Sequence, residues 1–417
     1  MAFWLAASFG EVSPLRLLLE PPTGSEDEVD LNFLGGENIE TALSHACRAG
    51  HLGMVEYLLS KSTVDVNLTN NDDETPFYVA CARGRTQVAQ VLLQHPEVDV
   101  NYHTGMHVTP FYAACQEGHA EVVTLLLASE RVDISICNAN GTPPLYQACA
   151  HGHLEIAKLL LADPRVDVNF SEPDGFTSLV IASQENQAEV VRLLLADWRV
   201  NFLALDADGC AAIHIACFNG ATEVVRIFLD DSRMDVNLED KEGITPLYAA
   251  SQEGHAAIVR LLLDHPLIEV NRPRNTGATP FNIACEMGNF RCVKMMVDDL
   301  RVDLNAPDMD NASPLWFAAQ GGHLEVVRLL LASSRGLIKA DPRTAPGTDD
   351  WQDTNAAEWA REKGYQEVSD LLIRYQANPR GVRHELWSEI NVQVDNAAAL
   401  FASVVFLCDG FVLLEAE

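Results

Sequence analysis

Positive charge is scarce in this chain. Its 417 residues carry 28 lysines and arginines against 60 aspartates and glutamates, a net charge of −32. That balance argues against sequence-independent binding of nucleic acid or anionic lipid, since both require phosphate to be neutralised by basic side chains. Long apolar runs are missing as well. The stretch from Ala397 to Cys408 is twelve residues, short of the roughly twenty that cross a bilayer, and Asp409-Gly410 ends it. No glycine-rich phosphate loop is present, and His384-Glu385-Leu386-Trp387 lacks the second histidine of a zinc-protease helix. No cluster of unlike catalytic groups stands at usable spacing, so neither an enzyme activity nor a cofactor or metal is expected. Near the start, no basic stretch precedes the apolar residues, and Glu11 and Arg16 interrupt them, so no secretory signal is expected.

What the chain has is a beat. Gly50, Gly84, Gly118, Gly152, Gly220, Gly254, Gly288 and Gly322 share one register of 34 residues, and Asn186 fills the one gap. Asparagine is among the few other residues that tolerate a left-handed backbone. A strict period over that length means one supersecondary piece copied and stacked, in which each copy touches only its neighbours.

The clearest copy begins at Gly243-Ile244-Thr245-Pro246. Thr245 reads as a helix cap and Pro246 as the first helical residue. Leu247 and Ala250 face inward, Gly254 makes a tight turn, and Ile258, Val259, Leu261, Leu262 and Leu263 form the buried side of a second helix. Ile268-Glu269-Val270-Asn271 then predicts a strand leading to the next hairpin. Gly141, Gly175, Gly209, Gly243 and Gly277 hold the hairpin position, replaced elsewhere by Asp73, His107 and Asn311, all types that accept positive φ. Ile39, in the first full copy, departs from that rule by residue type.

A 34-residue helical period also fits tetratricopeptide repeats. Those lack a glycine turn ahead of a Thr-Pro start and the recurring Val64-Asp65-Val66-Asn67, Val98-Asp99-Val100-Asn101 and Val166-Asp167-Val168-Asn169. Thr75-Pro76-Phe77, Thr109-Pro110-Phe111, Thr245-Pro246-Leu247 and Thr279-Pro280-Phe281 resemble the Thr-Pro-Leu-His signature of ankyrin repeats. The resemblance covers residues 38–333, and weaker copies extend it to about 2–379. It implies an α-solenoid, an ankyrin-repeat array of stacked helix-turn-helix pieces joined by β-hairpin-like turns. Two departures stand out. The family's histidine is Tyr78, Tyr112, Tyr146, Tyr248 or Trp316 here, with only His214 keeping it, so a tyrosine ladder is expected in place of the imidazole bridge. The Gly-Ala after the second helix is replaced by a longer segment such as Asp163-Pro164-Arg165-Val166, which makes the period 34.

The expected organisation is a degenerate N-terminal capping repeat with an acidic loop over 1–37 and nine repeats over 38–333. A loop and C-terminal capping repeat follow over 334–379, then a non-repeat tail over 380–417 with an apolar helix. Cys47, Cys81, Cys115, Cys149, Cys217 and Cys285 occupy one repeat position that Ser183 and Ser251 also fill. Helices stacked about 8–10 Å apart are too far for disulfides, so these are expected to be buried reduced thiols in an intracellular, cytoplasmic chain. His51, His119, His153, His255 and His323 follow the turn glycine in register and are read as part of the repeat, not as metal ligands.

By resemblance, the hairpin tips and the outward side of the first helix form a groove that binds protein ligands. The two places before the turn glycine vary freely, which nominates Gln116, Glu117, His151, Gln184, Glu185, Phe218, Asn219, Gln252, Glu253 and Met287, together with Arg274 and Asn275 at a hairpin tip. Acidic groove residues favour a protein ligand of basic or mixed charge. The competing expectation is a structural spacer in a larger assembly, attached through the C-terminal helix; the oligomeric state is left open.

Overall fold

In the expected repeat, two helices meet at a residue that must have positive φ, and this is what the chain does. The structure, a computed structural model, describes residues 30–36, 39–333 and 355–389. They fall in two units, one within residues 1–215 and one within 216–417. The apolar stretch 397–408 lies outside the described residues.

In the first unit the inner helices are Ala42–Ala49, Pro76–Ala82, Pro110–Gln116, Pro144–Ala150 and Ser178–Gln184. The outer helices are Leu52–Leu59, Thr86–Gln94, Ala120–Leu127, Leu154–Ala162 and Ala188–Ala196. Each inner helix packs on the next inner helix, and each outer helix on the next outer one. The second unit repeats the scheme from Thr222–Asp230 through Pro246–Gln252, Ala256–Asp264, Pro280–Glu286, Phe290–Asp298, Pro314–Gln320 and Leu324–Ala332 to Ala356–Glu362 and Gln366–Ala377. A further helix, 379–389, buries Val382 and Leu386. Each unit is thus a helical solenoid of paired helices.

The local causes are those read from the sequence. Thr75, Thr109, Thr245 and Thr279 each accept a hydrogen bond from the backbone N–H three residues on, with proline behind them at the first helical position. Pro143 stands at one cap position and offers no side-chain acceptor. The turn residues Gly50 to Gly322 and Asn186 all have positive φ. So do Asp73, His107 and Asn311 at the hairpins. Ile39 also adopts it, at φ +46°, so the first hairpin keeps its shape despite a β-branched residue. Outer helices bury a stripe such as Val190, Val191 and Leu194, each 0–1% exposed.

The predicted strands do not form. Among the described residues only two isolated bridges occur, Gly35 with Glu40 and Ser171 with Thr177. The Val-Asp-Val-Asn segments satisfy their backbone by other means. Asn67 donates from Nδ2 to the carbonyl of Glu97 and accepts from the N–H of Asp99, both at 2.8 Å. Asn101 treats Arg131 and Asp133 in the same way, Asn237 treats Leu267 and Glu269, and Asn271 treats Arg301 and Asp303. A side-chain amide therefore takes the place of a ladder partner.

Two further sets of bonds tie many of the repeats to their predecessors. The residue opening the outer helix makes no cap bond to its own helix. It reaches back 37 residues instead: His119 to the carbonyl of Ala82, His153 to Gln116, Gln187 to Ala150, His255 to Phe218 and His323 to Glu286. Arg165, Arg199 and Arg301 donate to the carbonyls of Leu127, Leu161 and Leu263 in the last turn of the preceding outer helix, where a cation also complements the helix dipole. Asp163, Asp197 and Asp299 hold those guanidiniums in place. In these repeats the longer segment that goes with the 34-residue period carries this Asp-x-Arg clamp.

Among the described residues the expected tyrosine ladder forms at Tyr112 alone. Tyr112 accepts from Asn138 Nδ2 at 2.9 Å, and its hydroxyl lies 2.7 Å from Thr142 Oγ1. The hydroxyl of Tyr248 is buried without a hydrogen-bond partner, and Arg274 sits 5.6 Å from the centre of its ring. The residue 26 positions on decides the difference: an amide at 138, a guanidinium at 274.

Candidate protein-binding face

The inner helices bury one side completely. Ala114, Cys115, Ala182, Ser183, Ala250, Ser251, Ala284 and Cys285 are all 0% exposed. The two residues that follow in each helix therefore project from the stack, because the glycine turn removes the chain immediately after them. In the first unit this brings Gln116 and Glu117, His151, and Gln184 and Glu185 onto successive inner helices in one register. In the second unit Phe218 and Asn219, Gln252 and Glu253, and Met287 hold the same positions.

The pairs share a geometry. Gln116, Gln184 and Gln252 each donate from Nε2 to the carboxylate of the next residue, Glu117, Glu185 or Glu253, at 3.3, 3.0 and 2.9 Å. The three glutamates are exposed. The backbone carbonyls of Gln116 and Gln252 are already occupied, by His153 and Asn289, so only side chains remain to meet a ligand. Phe218 is 48% exposed and Met287 is 47% exposed, although stacking calls for neither. His151 is exposed, its Nδ1 3.0 Å from the carbonyl of Gln147 and its ring stacked on His153. Arg274 Nε donates to Thr276 Oγ1 at 2.8 Å. Asn275 has a structural job: its backbone N–H meets the carbonyl of Glu242 and its side chain the carbonyl of Lys241, linking two hairpin tips.

Ankyrin-repeat models match residues 3–104, 98–172, 163–240 and 213–308, and a single ankyrin-repeat model matches 310–344. The chain belongs to the ankyrin-repeat family. Ankyrin repeats are in general protein–protein interaction modules, and the fold seen in each unit is theirs. No curated protein matches this ankyrin chain. No helix of the described residues is long and apolar enough to cross a membrane.

Within this ankyrin array the sequence places the phenols in register but does not show what acts on them. Burial pushes the Tyr78 hydroxyl up to about 12, helped by Glu74 and Glu117. Burial does the same to Tyr146, with Glu172 and Glu185 among the carboxylates acting on it. Tyr248 is raised to about 12 by burial, against Arg274 and with Glu286 and Glu242. Burial and Asp174 raise Glu172 above the ordinary carboxylate range, and burial raises Glu286 despite Arg274. Carboxylates thus add to the effect of burial on these phenols in both units. Two of these pairs share a 39-residue separation, Tyr78 to Glu117 and Tyr146 to Glu185.

The expected burial of the repeat thiols is seen among the described residues. Cys47, Cys81, Cys115, Cys149, Cys217 and Cys285 are free and 0% exposed, and burial raises each above its ordinary pKa. Ser183 and Ser251, at the same position, donate to the carbonyl four residues back. Among the described residues no group of three or more His, Cys, Asp and Glu side chains is placed to hold a metal.

Proposed function

We propose that this chain is a non-enzymatic scaffold or adaptor that binds a basic protein along the inner-helix face of its ankyrin repeats. The observation that carries the reading is the recurrence of an exposed, internally bonded Gln-Glu pair every second repeat. Gln116-Glu117 and Gln184-Glu185 lie in the first unit and Gln252-Glu253 in the second. Stacking has no use for these side chains. Fixing each carboxylate through its own glutamine lowers the side-chain entropy lost on meeting a cation. The half-exposed Phe218 and Met287 supply apolar contact of the kind found at interface centres, and the net charge of −32 draws a basic partner to the face.

The test is the combined substitution Glu117→Lys, Glu185→Lys and Glu253→Lys, with affinity purification and mass spectrometry beside the unaltered chain. Loss of a specific basic protein, with the circular dichroism spectrum retained, supports the reading. Unchanged recovery of every partner removes the acidic pairs from the mechanism. Deleting 390–417 tests a spacer attached through its tail. That cut leaves the buried Val382 and Leu386 in place, whereas a cut at 380 would strip them from the last helices.

A further inference from the structure

At the hairpins of the first unit, a cavity of about 320 Å³ opens where the hairpin around Asp73 meets the segment 99–107. Asp73, Asp99, Tyr102, His103, Gly105 and His107 line it, and no lysine or arginine among the described residues does. Elsewhere in this fold, aspartates at turns hold guanidiniums, as Asp163 holds Arg165 and Asp197 holds Arg199. Here the two carboxylates come from successive repeats and each is only half used. Asp73 accepts from the Tyr102 hydroxyl at 2.5 Å and Asp99 from the N–H of Asn101 at 3.1 Å, both through Oδ1. Neither Oδ2 has a protein donor among the described residues.

The remaining wall is aromatic. The imidazoles of His103 and His107 stack with centroids 4.5 Å apart and planes 10° from parallel, and Tyr102 stacks on His103 at 6.3 Å. His107 is held at φ +57°, a left-handed conformation that brings the two rings together. An anion would meet two carboxylates. A metal ion would need nitrogens converging on a point, which parallel rings do not provide, and no third ligand completes a set. A flat delocalised cation matches this lining in kind, because guanidinium packs on aromatic rings and forks its N–H groups to carboxylate oxygens. The volume lies at the bottom of the roughly 300–1,000 Å³ range of ligand pockets, enough for one side chain.

We propose that this cavity is a guanidinium site that receives one arginine side chain of a partner protein. The proposal builds on the reading of a basic partner, but its test needs no partner and none of the Gln-Glu pairs, so the two can fail separately. The full chain, labelled on its histidine rings, is titrated with Nα-acetyl-arginine amide at constant ionic strength and followed by NMR. Ring signals of His103 and His107, assigned by single substitution, should shift saturably, and the neutral isostere Nα-acetyl-citrulline amide should leave them in place. Asp99→Asn keeps the acceptor for Asn101, and Asp73→Asn suits φ +61°; each should weaken binding at least fivefold while the fold stands. Gly105 has no left-handed φ, and the nearest atom to an added Cβ is Asp73 Oδ2 at 4.0 Å, so Gly105→Met fills the cavity without strain and should abolish the shifts. Equal shifts with citrulline, or indifference to both aspartate changes, would each overturn the proposal.

Discussion

The imidazole Nε2 of His153 lies 2.8 Å from the carbonyl oxygen of Gln116, in the preceding repeat, and its ring occupies the space beside Gly118. A Cβ added at Gly118 would stand 2.7 Å from His153 Cε1. The turn glycine is therefore required twice, once for φ +83° and once for the ring that passes it.

Gly118→Ala should cost about 2–3 kcal/mol, combining left-handed strain with the disturbed histidine bond. Gly364→Ala has the strain alone, at φ +87° with nothing within 4 Å, and should cost only about 1–2 kcal/mol. Denaturant titration of the two variants compares them; equal losses would show that the histidine contact adds nothing.

Asn237→Ala should leave the carbonyl of Leu267 and the N–H of Glu269 without their partner. The expected loss is about 1–3 kcal/mol in local stability, because both bonds belong to a side chain that is 8% exposed. Hydrogen exchange of the Glu269 amide should rise more than that of amides within Pro246–Gln252.

Ile39→Gly should stabilise the first described repeat by about 1 kcal/mol. A β-branched residue at φ +46° carries strain that glycine relieves, less the entropy glycine adds to the unfolded chain. Slower exchange across Ala42–Ala49 would show it, and faster exchange would contradict it.

Acid should loosen that same repeat. Burial raises the Glu40 carboxyl, but the hydrogen bond with His45 and the charge of Arg48 outweigh it, and the net pKa is lowered. A carboxyl lowered by folding contributes stability that is present above its unfolded value, about 4.3, and is lost as pH falls through the folded one. Exchange protection in Ala42–Ala49 should fall below about pH 5, and Glu40→Gln should flatten the dependence.

Maleimide in native buffer should modify Cys137 and Cys210, which are partly exposed, well before Cys47, Cys81, Cys115, Cys149, Cys217, Cys285 and Cys292. Peptide mapping reads the order. Labelling of Cys115 at the rate of Cys137 would mean that the inner-helix stack opens readily.

How much of this was legible depends on how local the cause is. Caps such as Thr245-Pro246 and the left-handed turns act within a few residues, so period and residue type sufficed. The shared burial of Cys47, Ser183 and Ser251 was legible because one helix position recurs. Bonds between repeats were harder. That His153 belongs to the repeat could be read, but its target 37 residues back depends on how inner and outer helices stack. Val-Asp-Val-Asn reads as a strand by propensity, and the structure replaces strand pairing with the amide of the preceding repeat. A tyrosine in register says nothing of its partner, which is Asn138 for Tyr112 and Arg274 for Tyr248. The shared register of the candidate residues was visible in the sequence; the internal bonding of Gln116 to Glu117 and the structural use of Asn275 were not.

The most direct test of the binding face is site-specific photocrosslinking in cells. p-Benzoylphenylalanine would be placed at Glu185 or Phe218 on the inner-helix face, and at Arg192 or Arg260, exposed on the outer helices. Crosslinks to one basic protein from Glu185 and Phe218, and none from Arg192 and Arg260, are the predicted result. Crosslinks from the outer helices alone would contradict it.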